Sequence, residues 1–217
     1  MGPDVDKLFL EVAGRPVIAH TWKRFDDAKC IQHIILVVRE GGRADFQKLA
    51  VQYGFTKPFN IVGGGAERQD SVWQGLEALP DNAELVAIQD GARPCSSEAL
   101  IEATLAAARE TGAAVAAQKL TDTIKESTDG QRISRNVDRS QLWSVQTPQA
   151  FRVAVIRQAL TAVRARGFHI TDDTAACELI GQPVRLVAVG GPNPKITMPG
   201  DLAMLEALLA GSDYLEP

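Results

Sequence analysis

The stretch Leu85-Val-Ala-Ile-Gln-Asp90-Gly-Ala-Arg93-Pro94 runs apolar, stops at a carboxylate and meets an arginine within the next turn. A short apolar run bounded by Gly and Pro predicts a buried parallel strand, and open α/β sheets bind ligands just beyond the carboxyl ends of such strands. An acid and a guanidinium at that point suit a divalent cation and a polyphosphate, because the carboxylate holds the metal while the guanidinium neutralises phosphate oxygens. The same two residues also suit a plain strand end, with Asp90 capping the next helix or pairing with Arg93. By themselves they leave both readings open.

Four further segments, and Arg139, have residue types that could act. Gly63-Gly-Gly-Ala-Glu-Arg68-Gln-Asp-Ser71 lies between a short strand and a helix, where glycines permit close backbone approach and free amides can bind an anion or a base edge; a tight turn explains it equally. In Leu142-Trp-Ser-Val-Gln-Thr147-Pro-Gln-Ala-Phe151, Pro148 pushes Thr147 out of helical space and then opens a helix, presenting the Thr147 hydroxyl at a loop edge or simply as a cap. Thr171-Asp-Asp-Thr174 reads as helix-capping chemistry or as a set of groups facing a polyol. Asn193-Pro-Lys195-Ile-Thr197 reads as a short β segment with one lysine, and Arg139 as a surface ion pair or a phosphate ligand. His20, His33 and His169 fall in helix, strand and loop contexts without partners, so no histidine base stands out.

Alternating elements position these groups. Apolar runs predict strands at 33–38, 60–62, 85–89, 113–117 and 184–189. Helical periods fall near 16–28, 43–53, 68–79, 97–111, 151–166, 174–180 and 200–210, with Pro16 opening the first, Ser96 and Ser97 as capping candidates for the fourth, and leucines at helical spacing behind Pro199 in the last. Such alternation argues for a mostly parallel sheet with helices on both faces. Residues 118–143 break it: they are polar, and Thr128-Asp-Gly130 supplies turn chemistry, so they read as a projecting hairpin. An arm with so little apolar surface packs on a partner or stays mobile, which favours an oligomer.

The 217 residues suffice for one domain, and no linker or repeat divides them. A net charge of −4 offers no general attraction to nucleic acid or to an anionic membrane, so phosphate recognition must be local. Cys30, Cys95 and Cys177 are odd in number and lack metal-ligand spacing, which suggests a reduced, cytoplasmic protein. No apolar run reaches membrane-spanning length, and the first residues lack a signal-peptide core.

Taken in order, Asp6-Lys7-Leu, Gly14-Arg-Pro-Val-Ile-Ala-His20-Thr, Gly64-Gly-Ala-Glu-Arg68-Gln-Asp-Ser71, Gln89-Asp90-Gly-Ala-Arg93-Pro94, Asp122-Thr-Ile-Lys125, Arg139-Ser-Gln-Leu-Trp-Ser-Val-Gln-Thr147-Pro-Gln-Ala-Phe151, Thr171-Asp-Asp173 and Lys195-Ile-Thr197 resemble the 2-C-methyl-D-erythritol 4-phosphate cytidylyltransferase family over nearly the whole chain. The resemblance implies a Rossmann-like nucleotidyltransferase fold and a homodimer whose arm is residues 118–143. It implies transfer of CMP from CTP to the polyol phosphate with release of pyrophosphate, assisted by Mg²⁺. By the same resemblance, Lys7 neutralises the CTP phosphates at the pentavalent α-phosphorus. Gly64, Gly65, Ala66 and Ser71 read cytosine and ribose, and Asp90 with Gly91 lies at the nucleotide, Asp90 also at the metal. Arg139, Thr147, Thr171 and Lys195 surround the polyol phosphate, Lys195 being near the α-phosphate as well. Arg93 and Thr123 reach the substrate phosphate of the neighbouring subunit.

Two departures accompany the resemblance. The family places an apolar strand and a glycine-rich loop with an arginine ahead of the Lys7 motif, whereas this sequence opens at Met1-Gly2-Pro3, Met1 and Gly2 matching the loop's end. That strand and most of the loop are therefore expected to be absent, from a start placed too late or in a chain of weak or no activity. Gln89 and Gly91 stand where the family has His and Ala, and Gln89 still offers a hydrogen bond. Three alternatives compete. A ribitol 5-phosphate cytidylyltransferase shares most motifs, although Thr171-Asp-Asp173 with Glu178 and the compact length favour methylerythritol phosphate. A truncated, inactive nucleotide-binding homologue would bind without turnover. A dinucleotide-binding dehydrogenase lacks its glycine fingerprint after an initial strand.

Overall fold

A 3₁₀ turn, Lys7–Phe9, is capped by Asp6, whose carboxylate accepts from the Leu8 amide at 3.1 Å. In chain order there follow β1 (Glu11–Val12), β2 (Arg15–Pro16), α1 (Val17–Asp27), β3 (Ile34–Val38), α2 (Arg43–Tyr53), β4 (Phe59–Gly63), α3 (Arg68–Glu77), β5 (Leu85–Ile88) and α4 (Glu98–Thr111). The second half comprises β6 (Ala113–Lys119), β7 (Ile124–Glu126), β8 (Arg135–Val137), β9 (Trp143–Arg152), α5 (Val153–Arg166), α6 (Asp173–Leu179), β10 (Arg185–Ala188) and α7 (Asp201–Ser212). The computed structural model describes residues 6–198 and 200–212, so Met1, Gly2 and Pro199 lie outside the described residues.

The main sheet has the order β10-β6-β9-β5, with β10 and β6 parallel and β9 antiparallel to both its neighbours. Side-chain alternation splits the core between its two faces. Val86, Ile88, Ala113 and Phe151 pack with α5 and α6, while Leu85, Ala87, Ala114 and Ala150 pack with α4 and the end of α1. This is the period of two that a sheet covered on both sides requires. A third cluster joins α1 and α2 to the parallel pair β3–β4, and Leu205 and Leu209 of α7 close over Val17, Ala92 and Ile196.

Strand β9 corrects the expectation of a loop opening a helix at Pro148. Residues 143–152 form one strand, the Thr147–Pro148 peptide is cis, and the helix waits until Val153. Proline is tolerated because the β6–β9 register shifts there: Val115 faces Gln149 and Ala117 faces Val145, so three β9 residues bulge opposite Ala116 and no regular ladder bond needs a Pro148 amide. The segment at Lys195 is likewise not a strand. Prolines flank it, and it is fixed instead by one backbone bond, Ile196 N to Ala92 O at 2.9 Å, and by the fully buried Ile196 side chain.

The remaining edges of β3 and β5 face a common slot of about 790 Å³. Ile18, Trp22 and Phe25 line it from α1 and Leu76 from α3, and Arg68, Asp90 and Gly91 line it as well. Neither strand has a ladder partner on this side among the described residues. The expected hairpin is present as β7–β8, with Gly130 at φ +69° in its turn and the Asp129 carboxylate accepting from the Gln131 and Arg132 amides at 2.8 Å.

Phe151 is fully buried and sits on the strand that joins both halves of the main sheet. Phe151→Ala is expected to cost about 3–5 kcal/mol, read as a lowered denaturation midpoint with an unchanged slope.

Candidate active site

Asp90 follows β5 after one residue, Gln89, beyond the carboxyl end of the strand. Its backbone amide donates to the Thr147 hydroxyl at 3.1 Å, which ties it to the β9 bulge. Three cations converge on its carboxylate: Lys195 Nζ at 2.8 Å, Arg93 Nε at 3.7 Å and Arg68 Nε at 3.9 Å. Gly91 is pinned too, since its carbonyl accepts from the buried Thr21 hydroxyl at 2.7 Å. A Cβ at Gly91 would lie 3.3 Å from a Leu8 methyl, so the turn bearing Lys7 packs against the Asp90 loop.

A neutral network holds this arrangement from below. Buried Asn193 donates to the Thr147 carbonyl at 2.8 Å and to Gln146 Oε1 at 3.0 Å, while its Oδ1 accepts from Ser96 Oγ at 3.1 Å. Its own carbonyl accepts from Arg93 Nη1 at 2.7 Å. Gln89 donates to the Arg93 carbonyl at 3.1 Å and to Ser96 Oγ at 3.0 Å, so it does supply hydrogen bonds at this position. Ser97, not Ser96, caps α4 through the Leu100 amide. Burial lowers the Arg93 guanidinium against the opposing pull of Asp90.

The glycine loop reaches the same place from β4. Gly64 N donates to Val38 O at 2.8 Å, and Gly65 N to Ser71 Oγ at 3.1 Å. Side chains cannot fit here: a Cβ would lie 2.8 Å from Ser71 Oγ at Gly64 and 2.2 Å from Asp70 Cβ at Gly65. Glu67 and Asp70 form a reciprocal capping box that starts α3, leaving Ala66 exposed at the turn. Arg68 then extends toward Asp90 and bonds the fully buried Asp173 through Nη2 at 2.7 Å.

Lys195, Asp90, Gly91, Arg93 and Thr147 are thus brought together, with Gly64 and Gly65 on the adjoining loop and Ser71 in the first turn of α3. Thr147 is buried in β9, in place of the expected exposed loop edge. Thr171 is exposed just ahead of α6, whose N-cap is Asp172, accepting from the Ala175 amide at 3.0 Å. Thr123 and Arg139 are exposed at the base of the arm, where Arg139 Nη1 donates to the Thr121 carbonyl; they stand outside the Asp90 cluster. Arg93 is engaged within its own chain. Asn193, Arg68 and Asp173 had no separate role from sequence; the clearest signal was Asn193 itself, an amide between prolines beside Lys195.

Among the described residues, no group of three His, Cys, Asp or Glu side chains could hold a metal alone. The donor set still fits Mg²⁺, which is commonly held by one or two carboxylates together with substrate phosphates, and Asp90 is a partly exposed carboxylate in a cationic cleft.

A family model described as IspD, 2-C-methyl-D-erythritol 4-phosphate cytidylyltransferase, matches residues 1–211. The chain belongs to this family. It is 40% identical over 210 residues to the cytidylyltransferase of Alkaliphilus oremlandii, covering 96% of this chain and 89% of that one. It is 42% identical over 205 residues to that of Bacillus velezensis, covering 94% and 88%. Among solved structures, 4-diphosphocytidyl-2C-methyl-D-erythritol synthase from Anaerococcus prevotii superposes with a TM-score of 0.85 at 32% identity, covering 94% of this chain and 93% of that one. The Thermus thermophilus enzyme does so at 0.79 and 33%, covering 94% of each. The Rossmann-like cytidylyltransferase fold expected from the motifs is therefore the fold of this chain.

Asn193→Ala would leave the Thr147 carbonyl, the Gln146 side chain and Ser96 without their shared partner. The expected loss is about 1–3 kcal/mol for each group that stays buried and unpaired, measured by denaturant unfolding.

Proposed function

We propose that this chain transfers CMP from CTP to 2-C-methyl-D-erythritol 4-phosphate, giving 4-diphosphocytidyl-2-C-methyl-D-erythritol and pyrophosphate. The observation that supports this most is the Asp90 cluster, where one carboxylate faces Lys195, Arg93 and Arg68 next to a glycine loop in which Gly64 and Gly65 have no room for side chains. Such a cleft favours a polyanion at the carboxyl end of a strand.

The reaction needs positioning and charge. A phosphate oxygen of the polyol substrate bonds to the α-phosphorus of CTP, the α–β bridging bond breaks, and pyrophosphate leaves with that electron pair. The attacking oxygen is already ionised at neutral pH, so no side-chain base is required, in keeping with the absence of a histidine from the Asp90 cluster. Lys195 and Lys7 would balance the charge that builds on the equatorial oxygens, with the glycine loop and Ser71 holding the cytidine. Mg²⁺, held by Asp90, would supply further positive charge to the triphosphate. Thr171 and Arg139 would face the polyol phosphate, and Thr147 would fix the Asp90 loop as well as contact substrate.

The exposed arm fits a homodimer in which Thr123 and Arg93 contribute to the neighbouring site, Arg93 by exchanging its Asn193 carbonyl for phosphate. No described helix is long and apolar enough to cross a membrane. The three cysteines are unpaired, as suits a reducing cytoplasm, and burial pushes the Cys177 thiol up to about 12, which leaves it little thiolate character.

Pyrophosphate release from CTP and Mg²⁺ is expected with methylerythritol phosphate and to exceed that with ribitol 5-phosphate; faster use of ribitol phosphate would overturn the substrate assignment. Binding of CTP without any release would instead mark an inactive homologue. Lys195→Met is expected to lower kcat by about 10²–10³, the usual cost of one transition-state donor. Sedimentation is expected to show a dimer, and replacing residues 121–140 with a short Gly/Ser link a monomer.

A further inference from the structure

Two loops distant in sequence are zipped together beside the Asp90 cluster. From the glycine loop and the start of α3, Glu67 Oε2 meets His169 Nδ1 at 2.8 Å, Gln69 donates to the Phe168 carbonyl and accepts from the Ile170 amide, both at 3.1 Å, and Arg68 bonds Asp173. The first of these segments includes Ser71, in the first turn of α3, and the second contains Thr171. The group closing this seam is unusual. Asp173 is fully buried, its backbone amide donates to Gln149 Oε1 at 3.2 Å, and its Oδ1 has no partner. Burial drives this carboxyl upward against the pull of Arg68, while the Arg68 guanidinium, lowered by burial, is raised on balance by Asp173.

A buried carboxylate with one oxygen unpartnered is a costly way to join two loops that three other hydrogen bonds already join. Its distinctive effect is on Arg68. That side chain is 38% exposed, one of its five donors is fixed by Asp173, and Nε lies 3.9 Å from Asp90 Oδ1, too far for a hydrogen bond. Its remaining donors are therefore held at the cleft with orientation but without a strong partner.

We propose that Arg68 binds a phosphate oxygen of the nucleotide and that Asp173 is the positioning residue that holds it there. This rests on the cytidylyltransferase reading of the Asp90 cleft. When a polyanion and a cation occupy Asp90, the long Arg68–Asp90 contact is given up and the anchored guanidinium turns its free donors to phosphate. Asp173 never touches the substrate. Because the anchor begins α6, the same pair sets the nucleotide loop against the segment containing Thr171.

The test uses Asp173→Asn, Arg68→Met, Arg68→Lys and the Asp173→Asn/Arg68→Met pair in the full chain. Arg68→Met is expected to lower kcat/KM for CTP at least 30-fold, Asp173→Asn at least 10-fold, and Arg68→Lys to recover part of the loss. The double variant is expected within 2-fold of Arg68→Met alone, since Asp173 acts through Arg68, whereas the KM for the polyol phosphate moves less than that for CTP. A structural role alone would predict lowered melting temperatures with kcat/KM unchanged, or losses that multiply in the double variant, and either result overturns the proposal. Arg68→Met within 2-fold of wild type overturns it even if Asp173→Asn fails to fold. Calorimetry with CTP and Mg²⁺ on the same proteins separates the two levels. If wild type releases no pyrophosphate, the reaction assignment falls, and weaker CTP binding in Arg68→Met still supports the phosphate contact, while equal binding removes it.

Discussion

One small carboxylate must serve three cations. Asp90 faces Lys195, Arg93 and Arg68, and the one other carboxylate bonded to this group, Asp173, is already occupied by Arg68. Positive charge is thus in excess where the strand ends, and low-dielectric walls make the excess felt. Such an excess favours a polyanion, which brings several acceptor oxygens to the cations. Most of the local structure can be understood as holding those like charges close together.

The holding is done chiefly by neutral groups. Asn193, Thr147, Gln89 and Ser96 knit three loops together by backbone and amide hydrogen bonds, so the cations need not be fixed by extra carboxylates that would cancel the field. The β9 bulge makes this possible. It displaces Gln146 and Thr147 from the ladder and frees their polar groups for Asn193 and Asp90, at the one point where proline removes an amide from the pattern.

Residue order made much of this legible. The run ending at Asp90 announces a strand end, although β5 pairs antiparallel with β9 where the apolar run suggests a parallel strand, and Lys195 lies 2.8 Å from the Asp90 carboxylate. β9 was hidden because Pro148 and polar Gln146, Thr147 and Gln149 are poor strand formers in isolation; tertiary pairing to β5 and β6 outweighs propensity. The Arg68–Asp173 pair was hidden for another reason. Thr171-Asp-Asp-Thr174 scores as a cap, Asp172 fills that role, and nothing local distinguishes the neighbouring carboxylate that turns inward to a partner 105 residues away.

That distant pairing matters more because of the slot between β3 and β5. Asp90 rides on β5, whose ladder in the described residues runs to β9 alone, whereas the glycine loop rides on β4, paired with β3. Among the described residues no strand ladder fixes the glycine loop relative to the charged cluster; there, helix packing and polar ties across the gap join them. Leu76 of α3 supplies apolar packing onto α5 and the β5 face, which sets distance but tolerates sliding. The bonds from Glu67, Arg68 and Gln69 to residues 168–173 are directional and cross the same gap. Directional bonds, unlike apolar contact, specify where the glycine amides stand relative to Asp90, so the precision of the site resides in that seam.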